Sequence, residues 1–214
     1  MYEKTLENLI QEMRLRGTLK SKKLEQAFKK IDRKYFVPEK YKGSAYADYP
    51  LPIGHEQTIS QPSTVAMMTE ALVVKSGQKI LEIGAGSGWQ AALLGYLVGP
   101  KGKIFTVEIN EWLVELARRN MKKIGLGNVK IIHGDGSLGY EKEAPYDRIM
   151  VTAAAPKVPE PLKRQLKDDG KMIMPLGNYF TQKVLVFEKM GEDLVVVEDL
   201  GYFRFVPLKG KHGF

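Results

Sequence analysis

The segment Lys79-Ile-Leu-Glu-Ile-Gly-Ala-Gly-Ser-Gly-Trp89 constrains this chain more than any other part of it. Ile80, Leu81 and Ile83 make an apolar run of strand length, with the Glu82 carboxylate at its end. Gly84, Gly86 and Gly88 fall within five residues, and Gln90 to Val98 reads as the helix that follows. Glycines at that density weaken a regular element unless a tight turn, or a ligand lying against the backbone, requires them. A second acid, Glu108, closes the next apolar run, Ile104-Phe-Thr-Val-Glu108, 24 residues beyond Gly84. That is near the offset of roughly 20 at which a carboxylate meets a ribose in nucleotide-binding units.

The glycine spacing separates two cofactor classes. A dinucleotide site uses G-x-G-x-x-G, and its helix N-terminus receives a pyrophosphate. Here the spacing is G-x-G-x-G, with a glutamate just ahead of it that would repel a phosphate and attract a cationic amine. S-adenosylmethionine carries an ammonium, a sulfonium and a ribose diol but no phosphate, so the pattern favours it over NAD. A third candidate strand ends in Ile131-Ile-His-Gly-Asp135-Gly136, which places another acid at the same sheet edge. Asp135 could accept from an adenine amine there, or cap the turn before Ser137.

With no cysteine, the chain has no disulfides, thiolate metal ligands or cysteine nucleophiles, which removes cytosine-C5 methylation. His55, His133 and His212 are far apart and lack metal-ligand spacing, so no metal is expected. No apolar run approaches the roughly 18 residues of a membrane span. The charged start, Met-Tyr-Glu-Lys-Thr-Leu-Glu, has no signal-peptide core, so a cytoplasmic location is expected. The net charge of +8 is concentrated early: residues 1–43 hold twelve Lys or Arg against six Asp or Glu. Such a segment can be a nucleic-acid surface. Here the charges alternate at helical spacing with Leu6, Leu9, Ile10, Met13, Leu24, Phe28 and Ile31, which favours solvated helix faces.

Helices are expected at about 2–16, 21–32 and 63–73, with an irregular stretch at 39–62 where Pro50, Pro52, Gly54 and Pro62 break regular elements. Strands are expected at 79–83, 103–108, 129–133, 146–152, 170–175, 182–188 and 194–198. Helices are expected at 89–98, 111–124 and 159–167. Such alternation predicts an α/β, Rossmann-like fold: a mostly parallel seven-stranded sheet with helices on both faces and a helical N-terminal extension. The last strands lack long helices between them, which predicts antiparallel pairing at one sheet end. The 214 residues then form a single domain, with the extension and irregular segment in 1–62 and the core in 63–214.

Two further segments bear on chemistry. Val151-Thr-Ala-Ala-Ala-Pro156 follows the fourth strand, where amino-group methyltransferases carry an Asn/Asp-Pro-Pro-Tyr/Phe box, so adenine and cytosine N-methylation are disfavoured. Ser60 precedes the helix at 63; its hydroxyl could orient an anionic nucleophile or serve as an N-cap. No Gly-x-Ser-x-Gly elbow is present.

Pro50-Leu-Pro-Ile-Gly-His-Glu-Gln-Thr-Ile-Ser-Gln-Pro62, Leu81-Glu-Ile-Gly-Ala-Gly-Ser-Gly88, Asp135-Gly136, Tyr146-Asp147, Thr152-Ala153-Ala154 and Arg204-Phe-Val-Pro-Leu208 together resemble the protein-L-isoaspartate O-methyltransferase family, over nearly the whole chain. The resemblance implies transfer of a methyl group from S-adenosylmethionine to the free α-carboxylate of isoaspartyl residues in damaged proteins and peptides. The ester would then collapse to a succinimide. It implies that Ser60 is the active-site serine. Gln57, Thr58, Ile59, Glu82, Gly84, Ala85, Gly86, Gly88, Ile109 and Thr152 would lie around the methyl donor, with Glu108 at the ribose and Asp135 and Gly136 at adenine. Pro52, Ile53, Gly54, His55, Arg204, Phe205 and Val206 would cover the peptide. Ser63 stands where many members carry an aromatic residue or His.

A carboxylate is already ionised at neutral pH, with a reference pKa near 4, so this chemistry needs no general base. The expected partners are isoaspartyl peptides and proteins, with no nucleic acid and no membrane, bound by a monomer. An RNA base methyltransferase is the main rival and would need an aromatic platform. A non-catalytic nucleotide-binding module is the other.

Overall fold

The computed structural model describes residues 5–214, so the first part of the expected 2–16 helix lies outside the described residues. Helix α1 (Leu6–Leu15) starts where Thr5 accepts from Asn8 N at 3.2 Å, and α2 (Lys22–Lys30) where Ser21 accepts from Leu24 N at 3.3 Å. Both caps occupy backbone donors that the first turn leaves free. Leu9, Ile10, Met13, Leu24, Ala27 and Phe28 are buried, as their helical spacing predicts. Many of the charges around them are used internally. Arg14 and Lys29 both meet Glu25, Arg16 meets Asp48 at 3.2 Å, and Lys42 meets Glu39.

Residues 39–62 are more regular than expected. A 3₁₀ turn spans Glu39–Ser44, and a small hairpin follows, β1 (Leu51–Gly54) antiparallel to β2 (Gln57–Ile59). Its two-residue turn, His55-Glu56, has φ of 51° and 60°. Two-residue hairpin turns of type I′ require φ > 0 at both central positions and normally announce themselves with Asn-Gly or Asp-Gly. His55 and Glu56 give no such signal. The His55 ring lies 4.9 Å from that of Trp112, which holds the turn from outside.

Helix α3 (Pro62–Ala71) leads into the sheet. The strands β3 (Lys79–Ile83), β4 (Lys103–Glu108), β5 (Val129–His133) and β6 (Tyr146–Val151) match the apolar runs nearly residue for residue. So do α4 (Trp89–Val98) and α5 (Glu111–Ile124). The remaining elements are α6 (Glu160–Gln165), β7 (Leu166–Gly177), β8 (Gln182–Met190) and β9 (Asp193–Phe203). Strand order is β5-β4-β3-β6-β7-β8-β9, parallel through β7, with β8 and β9 antiparallel. β7 begins earlier than its apolar run because residues 167–170 bulge around Asp169, at φ 58°. β9 outruns its run because, as an edge strand, it keeps pairing through exposed residues with no alternation to read.

The strand order reverses at β3, between β4 and β6, and ligands bind open α/β sheets at such a switch point, outside the carboxyl strand ends. The N-terminal extension closes one side of this region. Trp89 at the start of α4 donates from Nε1 to Ile31 O at 3.0 Å, and its ring meets Phe28 edge-on at 5.5 Å. One apolar cluster therefore joins Leu9, Leu24 and Phe28 to Trp89, Leu93 and Leu113.

Candidate active site

A cavity of about 1060 Å³ opens at the carboxyl ends of β3, β4 and β6. Its floor is the glycine turn. Gly84 has φ 94°, and a Cβ there would stand 2.5 Å from Thr152 Oγ1. That hydroxyl lies 3.0 and 2.9 Å from the carbonyls of Ile83 and Gly84, tying the end of β6 to the turn. Glu108, 8% exposed, accepts from Gly86 N through Oε2 and from Asn110 N through Oε1, both at 3.0 Å. Each oxygen keeps a second lone pair, and Glu108 lines the cavity, an arrangement that can accept from a diol. The backbone approach, the acid and the adjoining Ile109, Asn110 and Gly136 fit a phosphate-free nucleoside.

The opposite wall is the hairpin and the chain after it: His55, Gln57, Thr58, Ile59 and Ser60. Ser60 had two open roles, and the cap belongs to another residue. Gln61 occupies the N-cap of α3 without a side-chain bond, and Asp48 Oδ1 accepts from Ser63 N at 2.9 Å. The Ser60 side chain thus lines the cavity without serving the helix. Ser63 gives its backbone N–H to Asp48 and is not among the cavity-lining residues, where Thr64 takes the place.

Arg33 holds this wall from behind. It is 1% exposed, and its terminal nitrogens donate to five carbonyls. Nη1 reaches Ala45 O at 2.8 Å and Ala47 O at 3.2 Å; Nη2 reaches Tyr49 O at 3.0 Å, Ile59 O at 3.3 Å and Ser60 O at 3.0 Å. Its guanidinium carbon lies 5.5 Å from the Trp89 ring centroid. Burial pulls its pKa down to about 10, opposed by the Asp48 charge, so the cation persists at neutral pH.

Most of the expected site residues meet in one place. Gln57, Thr58, Ile59, Ser60, Gly84, Ala85, Gly86, Glu108, Ile109, Gly136 and Thr152 line the cavity, with His55, Arg204, Phe205 and Val206 at its acceptor side. Others lie elsewhere. Glu82 is one residue inside β3 and fully buried; strand alternation sets it opposite Leu81 and Ile83, on the face where Ile80 packs under α3 and α4. Neither of its oxygens has a hydrogen-bond partner. Burial pushes its pKa up to about 8, eased by the nearby Thr106 hydroxyl and raised further by Glu108. Of the two roles open to Asp135, the structure shows the cap: Oδ1 accepts from Ser137 N and Oγ, and Oδ2 accepts from Lys211 N at 2.8 Å. These bonds and the neighbouring His212 hold its carboxyl below the usual range against the effect of burial. Gly88, at φ 87°, serves packing, since a Cβ there would stand 2.8 Å from Met121 Cε. Pro52, Ile53 and Gly54 lie outside the lining; Ile53 packs beneath the turn, 3.5 Å from where a Gly86 Cβ would sit.

Sequence reasoning did not single out Arg33, Asp48, Gln90, Tyr179 or Tyr202. Arg33 carried no signal distinguishing it from the surface cations around it. Among the described residues, no group of three His, Cys, Asp or Glu could hold a metal ion.

The family model for protein-L-isoaspartate(D-aspartate) O-methyltransferase matches residues 4–213. The chain belongs to this family. It is 48% identical over 212 residues to protein-L-isoaspartate O-methyltransferase 2 of Archaeoglobus fulgidus, covering 99% of this chain and 94% of that one. To the protein-L-isoaspartate O-methyltransferase of Methanothermobacter thermautotrophicus it is 45% identical over 207 residues, covering 96% and 95%. A solved protein-L-isoaspartate O-methyltransferase superposes with a TM-score of 0.87 at 33% identity, over 98% of this chain and 67% of that one. A Plasmodium falciparum family structure in complex with S-adenosyl-L-homocysteine gives 0.83 at 26%, over 94% and 96%. The Rossmann-like methyltransferase fold read from the strand pattern is therefore that of the isoaspartate O-methyltransferase family.

Two stability predictions follow from the buried charges. Arg33→Met should cost at least about 3 kcal/mol, because several buried carbonyls lose their donor at once. Arg33→Lys, with three donors, should fall between variant and parent; urea midpoints at constant slope measure both. For Glu82, the folded pKa of about 8 lies above the ordinary 4.5. The group's stabilisation is complete below pH 4.5 and drains away as pH rises to about 8. Glu82→Gln should therefore be more stable than the parent at pH 8, on the order of 2–4 kcal/mol, and equal to it near pH 4.5. Parallel melting curves across that range would refute the assignment.

Proposed function

We propose that this chain transfers the methyl group of S-adenosylmethionine to the free α-carboxylate of L-isoaspartyl residues in damaged proteins and peptides. The observation that carries the proposal is a single cavity with two unlike walls. One wall is the glycine turn with Glu108, and the other is Thr58 to Ser60 with the 204–206 segment. When bound, S-adenosylmethionine supplies an electrophilic methyl group on a positively charged sulfur. In this reading Glu108 accepts from the ribose diol, Gly84 to Gly86 let the donor lie against the backbone, and Gly136 borders the adenine. Thr58 and Ile59 separate donor from acceptor, and Thr152 keeps the floor closed.

The chain's task is alignment. The acceptor arrives ionised, so no group need remove its proton. Ser60 donates a hydrogen bond to one carboxylate oxygen and leaves the other aimed at the methyl carbon. That bond also offsets the cost of taking the carboxylate from water. Holding the two reactants in line can supply about 7–11 kcal/mol of barrier reduction. An isoaspartyl residue carries its carboxylate directly on Cα, with an extra main-chain carbon. A fixed donor therefore meets its oxygen and misses that of aspartate. The product is a labile ester, which closes to a succinimide without further catalysis.

The reading includes a monomer acting in the cytoplasm without nucleic-acid or membrane partners. Its exclusion of nucleic acid is supported by several N-terminal cations engaged with Glu25, Glu39 and Asp48, or buried in the case of Arg33. Among the described residues, no helix is long and apolar enough to cross a membrane.

The decisive assay is methyl transfer to matched peptides, one isoaspartyl and one aspartyl. Transfer should be confined to the first and should be base-labile; equal transfer to both would overturn the proposal. Ser60→Ala should lower kcat about 10- to 100-fold through lost orientation, with no covalent adduct at position 60 by mass spectrometry. Glu108→Ala should weaken S-adenosylhomocysteine binding by about 1–3 kcal/mol in calorimetry. An unchanged affinity would remove the ribose assignment.

A further inference from the structure

The outer end of the cavity carries a patch that the roles above leave unused. Tyr179 and Tyr202 line it while remaining 56% and 71% exposed, and Phe180 beside them is 79% exposed. Exposed aromatic clusters of this kind mark interaction surfaces more often than isolated surface rings do. The patch is built, not loose. Asn178 Oδ1 accepts from Phe180 N at 2.8 Å and Thr181 N at 3.0 Å, and Gly177 N donates to Ala155 O at 3.1 Å. The Tyr179 ring packs against Phe214 at 4.4 Å. Tyr202 is paired with Lys183 across β8 and β9, and the Lys183 ammonium lies 5.2 Å from its ring centroid.

The unpaired side-chain charges that line this mouth among the described residues have one sign. Arg204 and Lys209 line the cavity, are exposed, and have no carboxylate within ion-pair distance among the described residues. Lys183, by contrast, is tied to Asp199 at 2.9 Å. The one acid lining the cavity among the described residues is Glu108, on the donor wall and engaged with two backbone N–H groups. Flat aromatic faces beside unpaired cations complement a segment that offers a ring and a negative charge.

We infer that this mouth binds the residues flanking the modified one, and selects acceptor segments that carry an aromatic side chain and a second carboxylate next to the isoaspartate. The inference rests on the proposed isoaspartyl reaction. Aromatic residues flanking the target stack on Tyr202 or Tyr179, and a neighbouring carboxylate meets Lys209. Both contacts are remote from the reacting oxygen and equal in ground and transition states. They therefore act on KM and leave kcat unchanged.

The test uses a set of short isoaspartyl peptides with the same length and differing only in neighbours: glycine, phenylalanine, phenylalanine with glutamate, and lysine. The phenylalanine–glutamate peptide should exceed the glycine peptide about five- to tenfold in kcat/KM, through KM, and the lysine peptide should be the poorest. In Tyr202→Ala and Lys209→Ala that preference ratio should fall towards one. Equal kcat/KM for all four peptides would overturn the inference and leave the isoaspartyl reaction standing. Transfer to none of them would overturn both. Methyl incorporation into a single-stranded RNA oligonucleotide in preference to the peptides, lost in Tyr202→Ala, would reassign the patch as a base-stacking platform.

Discussion

Burying an arginine without a carboxylate in direct contact is costly, and here the cost is offset mainly by backbone carbonyls. The Arg33 guanidinium gathers carbonyls from Ala45, Ala47, Tyr49, Ile59 and Ser60, so a stretch of sixteen residues is closed around one cation. A planar fork with fixed donor directions suits this; an ammonium, a point charge with three donors, does not. The same side chain lies over Trp89, whose indole bonds Ile31, two residues before Arg33. The N-terminal extension, the acceptor wall and the first helix after the glycine turn therefore share one anchor. Segments rich in Pro and Gly leave carbonyls that no ladder satisfies. In this chain those carbonyls are what the arginine binds.

That anchor explains how legible the molecule was. The strands β3 to β6 and the helices α4 and α5 are visible because period and glycine turn come from neighbours in sequence. The hairpin 51–59 was hidden because His55 and Glu56 adopt positive φ without the residues that usually do so. Arg33 was hidden because, in a segment of many cations, a buried one reads like its solvated neighbours. Strand alternation explains Glu82: the run Ile80 to Ile83 is apolar enough to be buried on both faces, so an acid within it faces the core and does not line the cavity. Asp135 and Ser60 each fitted two roles in sequence, and only long-range contacts, from Lys211 in one case and Asp48 in the other, separate them.

Electrostatics divide the cavity along the same line. Its donor side holds a carboxylate at the end of β4, fixed by two N–H groups of its own chain. Its acceptor side holds no acid among the described residues and opens toward Arg204 and Lys209. A cationic donor and an anionic acceptor thus each approach the wall that favours them, and the net +8 of the chain does not have to be read as a nucleic-acid surface. Several of the early cations pair at the surface with Glu25, Glu39 and Asp48.

The two walls also differ in how they are made. Gly84 to Gly86 and Glu108 belong to adjacent parallel strands, so the donor wall exists once β3 and β4 pair. Ser60 and its neighbours are held through Arg33, which binds carbonyls at 45–49 and 59–60, and through Ile31, which accepts from Trp89 of α4, contacts that span up to 58 residues of chain. Non-local closure of that kind is entropically demanding and is held by a few strong contacts. A ligand touching both walls would add contacts between them. The orientation of Ser60, on which the proposed chemistry depends, is therefore set by tertiary packing as much as by the local sequence Thr58-Ile59-Ser60. A change at Arg33, whose side chain does not line the cavity, can disturb that orientation as surely as a change inside it.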